Sequence, residues 1–153
     1  MRFGGAEVTG DERAADRARP DRAPRLAKRT SMSSPHGLGM RSRWIFAPQA
    51  DGWSEFALSE WELREAGWSD LHPHSETNLV VEGELHVESG GETVVASAGD
   101  TVTVPAGQVG RYWAPTYARM YAIYGPNPEG AATEVGEYWS LAETSGTTKP
   151  ADP

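Results

Sequence analysis

The sequence predicts an all-β protein, one antiparallel barrel or jelly roll, and three observations carry that prediction. Short runs rich in Val, Trp, Tyr, Thr and Leu recur about every ten residues. Glycine or proline closes nearly all of them, at Pro48, Gly83, Gly90-Gly91, Gly99, Pro105, Gly107 and Gly125. Helical periodicity is not sustained over three turns, with a short acidic piece near 129–142 as the one stretch that leaves room for a helix.

Taken in order, "RWIFAP" is a bulky apolar run stopped by Pro48, and "SEFALSEWEL" alternates Phe56 and Leu58 with polar positions around Trp61. "TNLVVEGELHVES" reads as two strands meeting at Glu82-Gly83-Glu84, and a Gly90-Gly91 turn leads into "ETVVASA". "GDTVTVPAG", "GRYWAP" and "ARMYAIYG" follow, each bounded by Gly or Pro, which gives about eight strands in all.

At 153 residues the chain fits one domain with a core that needs no staples. It has no cysteine, so disulfides, a catalytic thiol and a thiolate zinc site are excluded, and any metal must be held by nitrogen and oxygen. The apolar runs are too short to span a bilayer and no cleavable leader is evident, so a soluble, cytoplasmic protein without membrane partners is expected.

The net charge of −8 is divided unevenly: residues 1–43 hold ten of the fourteen basic side chains and five acids, which leaves four bases and seventeen acids to 44–153. So acidic a folding unit cannot neutralise phosphates, and nucleic acid is not an expected partner. Residues 1–40 are rich in Arg, Asp, Ala, Pro and Gly and cannot bury enough surface to offset their ordering entropy. The expected organisation is a disordered tail over 1–40, a barrel domain over 41–143 and a second disordered tail over 144–153.

The order of the punctuation resembles the cupin superfamily. Gly99, five residues, then Pro105-Ala106-Gly107 match the front of its second motif, and Glu76 precedes Gly83 at the spacing of its first motif. Two departures bear on chemistry. Only Ser75 separates His74 from Glu76, and Gly110 stands where the family has its last histidine, so a four-ligand metal site is not expected. The shortened pattern is similar to the ethanolamine-utilisation Q-type cupins, with "SEWE" at 59–62 and "HSETNLVVEGEL" at 74–85. In that register Glu76 matches the branch's glutamate, His74 replaces a tyrosine and Asn78 an acid. The acetate-kinase-like activity ascribed to the branch is not carried over, because no phosphate-cradling glycine loop is present. Pairing of barrels in that superfamily implies a homodimer.

His72, His74 and Glu76 fall at every second position, on one face of an extended chain. Two imidazoles and a carboxylate are the donor set of non-haem iron and catalytic zinc sites, so the three are the candidate ligands of a divalent Zn, Fe or Mn ion. On a straight strand they would span about 13 Å, so one ion requires a bend near Pro73–Ser75. Such a site is expected to lose its ion as pH falls through about 6. Glu76 is also the candidate catalytic group, a general base if no metal is held. Asn78 and Tyr112 are candidate ligand-binding residues, Tyr112 lying on the face where the missing histidine would have pointed. His86, out of phase with Leu85 and Val87, is expected on the surface.

Two functions of different class follow. One is a cupin enzyme acting on a polar small molecule in the barrel mouth through a metal. The other is a metal-free cupin that binds a metabolite or serves as an accessory protein.

Overall fold

The computed structural model describes residues 24–142, and those residues form seven β-strands and no helix. They are β1 (Met40–Phe46), β2 (Ala57–Leu71), β3 (Glu76–Ser89), β4 (Glu92–Ser97), β5 (Thr101–Val104), β6 (Val109–Tyr124) and β7 (Glu134–Ser140). The strands follow the order β1-β2-β6-β3-β4, with β5 added to β3 and β7 to β2, and every pairing is antiparallel. The expected all-β jelly-roll barrel is therefore the architecture.

Seven strands stand where about eight were expected, because bulges rather than turns interrupt the long ones. β3 runs through Glu82-Gly83 with register shifts on either side of it. Gly83 has φ 75°, and a Cβ there would lie 2.0 Å from the Tyr117 carbonyl oxygen, so glycine lets the two backbones touch. "GRYWAP" and "ARMYAIYG" are one strand, β6, with Pro115 inside it. The proline is tolerated because the β2–β6 ladder breaks there, between Arg64 and Ala66. The acidic piece near 129–142 holds strand β7, not a helix; pairing with β2 overrides its composition.

The break at Arg64/Ala66 also sets which side chains face inward. Ala57, Ser59, Trp61 and Leu63 are buried on the odd positions of β2, and beyond the bulge, where Glu65 has φ 45°, the buried set includes Ala66, Trp68 and Asp70. Across the break Glu65 alone faces Pro115 and Thr116 of β6, and beyond it the even positions of β2 turn into the barrel. Leu63, Leu85, Val80, Met120 and Tyr112 fill the centre with almost no exposure. Each buried leucine stabilises the fold by about 1.5–3 kcal/mol.

Residues 24–39 were expected outside the barrel, and β1 does begin at Met40, yet this segment lies against the sheet. Ser33 and Ser42 exchange backbone hydrogen bonds of 2.9 and 2.8 Å, and Arg64 N–H donates to the Gly39 carbonyl at 2.8 Å. Gly37 sits so close to the Tyr138 ring that an added Cβ would fall 2.3 Å from it. Composition hides such packing, since it is the lack of a side chain that allows it. The expectations for residues 1–23 and 143–153 lie outside the described residues.

Candidate metal centre

The chain leaves β2 at Leu71 and enters β3 at Glu76, and the four residues between them make the bend that a shared ion requires. His72 Nε2 comes within 3.0 Å of Glu76 Oε2, where a straight strand would hold the residues about 13 Å apart. The third member of the cluster is Asp70, not His74. Asp70, His72 and Glu76 each offer one donor atom within 4.8 Å of the others, and His72 Nε2 lies 3.1 Å from Asp70 Oδ2.

Each member is held from behind. Trp68 Nε1 donates to Asp70 Oδ2 at 2.8 Å, and His72 Nδ1 lies 2.8 Å from Thr133 Oγ1, in the segment before β7. Glu76, 2% exposed, accepts from Asn78 Nδ2 at 3.0 Å on Oε1 and from the Tyr112 hydroxyl at 3.0 Å on Oε2. Asn78 in turn accepts from Trp61 Nε1 at 2.9 Å. The two residues expected to touch a ligand therefore stand behind Glu76 and orient it; neither is among the residues lining the cavity. Burial, then the charge of Glu76, pushes the Tyr112 phenol far above its ordinary range, so it stays a donor.

His74 is buried beside the cluster without joining it. Its Nδ1–H donates to the Ser75 carbonyl at 3.2 Å, which leaves Nε2 as the basic nitrogen. Its ring stacks on His72 at 4.7 Å and meets Trp53 and Tyr124 edge-on. Burial, with the His72 charge adding to it, lowers its pKa. His72 behaves oppositely. Burial opposes its charge, but Asp70 and Glu76 outweigh burial and push its pKa up to about 9.

Within the cluster two buried atoms remain without a hydrogen bond, His72 Nε2 and Asp70 Oδ1. The nitrogen lies between both carboxylates at 3.1 and 3.0 Å with its N–H well aligned on neither, a position shared between two acceptors. Donors bound to one ion at about 2.1 Å stand about 3.0–3.4 Å apart, which is the spacing of His72 Nε2 from each carboxylate, and all three donors lie within 4.8 Å of one another. The residues present thus fit a divalent ion held by Asp70, His72 and Glu76.

The cluster forms the floor of a cavity of about 280 Å³, walled by Trp44, Trp53, Trp61, Trp68 and Tyr124. His36, from the segment before β1, closes one side by stacking on Trp68 at 4.2 Å. Asp70, Thr133 and His36 escaped the sequence reading. Asp70 alone left a signal, since 70, 72, 74 and 76 are successive alternate positions. His86 lies on the outer face as expected, 3.0 Å from Glu84 and against Trp113.

A jelly-roll barrel with acid and imidazole donors converging inside it points to the class: residues 58–124, under half of the chain, match the family model described as "Cupin domain", and the fold is cupin-like. Within that class the chain resembles the EutQ-type cupins. A candidate ethanolamine utilization protein Q of Salmonella typhimurium LT2 aligns over 63% of this chain and 94% of its own at 25% identity, with a TM-score of 0.51. An RmlC-like cupin from Shewanella frigidimarina NCIMB 400 aligns over 69% and 91% at 25% identity and a TM-score of 0.55. The Clostridium difficile EutQ protein aligns over 57% and 68% at 22% identity and a TM-score of 0.50. Comparison with curated protein sequences gives no match. Among the described residues no helix is long and apolar enough to cross a membrane.

Proposed function

We propose that this protein is a metal-dependent cupin that binds a polar small molecule in the barrel mouth, with Asp70, His72 and Glu76 holding one divalent ion. The observation that carries the reading is the pair of buried, unbonded atoms, His72 Nε2 and Asp70 Oδ1, in the middle of a donor cluster. A group left unsatisfied in this way costs about 1–3 kcal/mol unless something else meets it. One imidazole and two carboxylates form a harder donor set than the two imidazoles expected from sequence, which favours Mn²⁺ or Fe²⁺ while still admitting Zn²⁺. When bound, such an ion supplies Lewis acidity to an oxygen of the ligand.

The protein's own residues do the orienting. With Nε2 given to the ion, His72 Nδ1–H donates to Thr133, which fixes ring and tautomer. Tyr112 and Asn78 hold both oxygens of Glu76. That occupancy favours a ligand role for Glu76 over a general base, because both of its oxygens are already oriented by donors. His74, with a free Nε2 beside the cluster, is the better candidate to take a proton from a bound hydroxyl.

Metal analysis after reconstitution with Mn²⁺, Fe²⁺ or Zn²⁺ at pH 8 tests the reading, using protein without a histidine tag. Asp70→Asn should abolish stoichiometric binding and His74→Ala should retain it. Wild-type protein holding less than about a tenth of an equivalent of each ion would end the metal reading. A second reading is supported by the raised His72 pKa: an imidazolium between two carboxylates is a self-consistent metal-free site. The protein would then be a metabolite-binding or accessory cupin resembling the ethanolamine-utilisation proteins, and its ligand binding would survive chelators.

A further inference from the structure

We propose that the cavity takes a flat conjugated ring bearing oxygen donors along one edge, seated face-on against an aromatic collar; the role given to the oxygen edge rests on the metal reading above. The collar comes from four separate parts of the fold. Trp44 on β1 is 48% exposed at the mouth and touches Tyr124 of β6 at 5.3 Å with its ring tilted, so much of its face remains uncovered. Trp53 stands between β1 and β2, pinned by Nε1–H donating to the Gly125 carbonyl at 2.9 Å and by a backbone pair with Asn127 at 3.0 and 2.9 Å. The segment before β1 brings His36 onto Trp68 at 4.2 Å, and both rings line the same cavity.

Charge and hydrogen bonding narrow the ligand further. Among the described residues, Arg43 is the one Arg or Lys that lines the cavity, and its Nε and Nη2 are committed to Glu60 at 2.7 and 2.6 Å. The charged His72 ring is likewise held between Asp70 and Glu76, so among the described residues neither cation at the wall is free to receive a carboxylate or phosphate. Of the serine and threonine hydroxyls at the wall, Ser59 is bonded to Tyr124 and Thr133 to His72, which leaves Ser42 to meet a sugar. What remains is ring surface above a polar floor. A cavity of about 280 Å³ holds one or two fused rings, near the small end of ligand pockets.

The test is a visible-absorption titration of 4-nitrocatechol into the full chain, with and without one equivalent of Zn²⁺. Wild type, Trp44→Ala and His36→Ala are compared, and D-glucuronate and choline serve as competitors. Trp44 and His36 are exposed, so both variants should fold, which circular dichroism verifies. We expect binding to both forms of the wild type, tighter with Zn²⁺, and weakening by about threefold to tenfold in Trp44→Ala whether or not the ion is present. Competitors at hundredfold excess should not displace the probe. If Zn²⁺ is not retained, only the metal reading falls, because the Trp44 ratio in the metal-free form still decides the ring. Failure of 4-nitrocatechol to bind either form, equal affinity in wild type and Trp44→Ala, or displacement by glucuronate or choline would overturn the inference.

Discussion

Adding a divalent ion to the metal-free protein at pH 7 should release about one proton, and that proton should come from His72. Its Nε2 lies 3.1 Å from Asp70 and 3.0 Å from Glu76, and although burial opposes its charge, these carboxylates push its pKa up to about 9 from the usual 6.5. Two pH units below that value, about 99% of the rings are protonated, and the ion must displace the proton to reach the nitrogen. Affinity should therefore rise about tenfold per pH unit, about a hundredfold between pH 6.5 and 8.5, equivalent to about 3 kcal/mol. The sequence-based expectation was loss of the ion only below about pH 6; the carboxylates move that threshold upward. Calorimetric titration with Zn²⁺ in buffers of equal pH but different ionisation heat counts the released protons. A count near zero at pH 7, or affinity changing less than about threefold from pH 7 to 8.5, would refute the reasoning. In the metal-free fold the same shift acts on stability. The folded pKa is raised above the unfolded one, so the stabilisation is fully present below about 6.5 and is lost as pH rises through about 9.

Three other outcomes are expected. Tyr112→Phe removes a buried hydroxyl that donates to Glu76 and should cost about 1–3 kcal/mol in urea unfolding; an unchanged midpoint would mean the hydroxyl does not hold the carboxylate. Deleting 1–39 should lower the Tm by several degrees relative to deleting 1–23, because 24–39 packs on β1, β2 and Tyr138; equal Tm values would show that this contact carries no stability. A homodimer is expected from the outer face of the sheet, where Leu79 and Ile123, 37% and 44% exposed, are diagonal neighbours on β3 and β6; light scattering that gives a monomer mass at high micromolar concentration would remove it.

The barrel was legible because its turns are written in residue types with no substitute: Gly90-Gly91, Gly99-Asp100 and Pro105-x-Gly107 end strands for steric reasons that hold in any context. Its long strands were less legible, since Gly83 and Pro115 mark bulges here and could equally mark turns. Two of the three members of the metal cluster could be read. His72 and Glu76 sit on either side of a proline, and the bend places them together. Asp70 was passed over because alternation counted from Trp61 puts position 70 on the outside. Thr133 and His36 reach the site through packing of distant segments, for which a single sequence carries no local sign.

The irregularity at Glu65 makes the site depend on backbone geometry as well as on residue identity. Straightening the strand there, with every residue kept, would shift the frame of everything downstream in β2, much as a slipped base shifts a codon. Gly67 and Ser69 would then be presented to the interior and Trp68 and Asp70 turned away from it, with no ligand substituted and the composition of the strand unchanged. Among related barrels, chains whose second strand runs without this break should therefore be unable to assemble the centre even where their aspartate, histidine and glutamate are all retained.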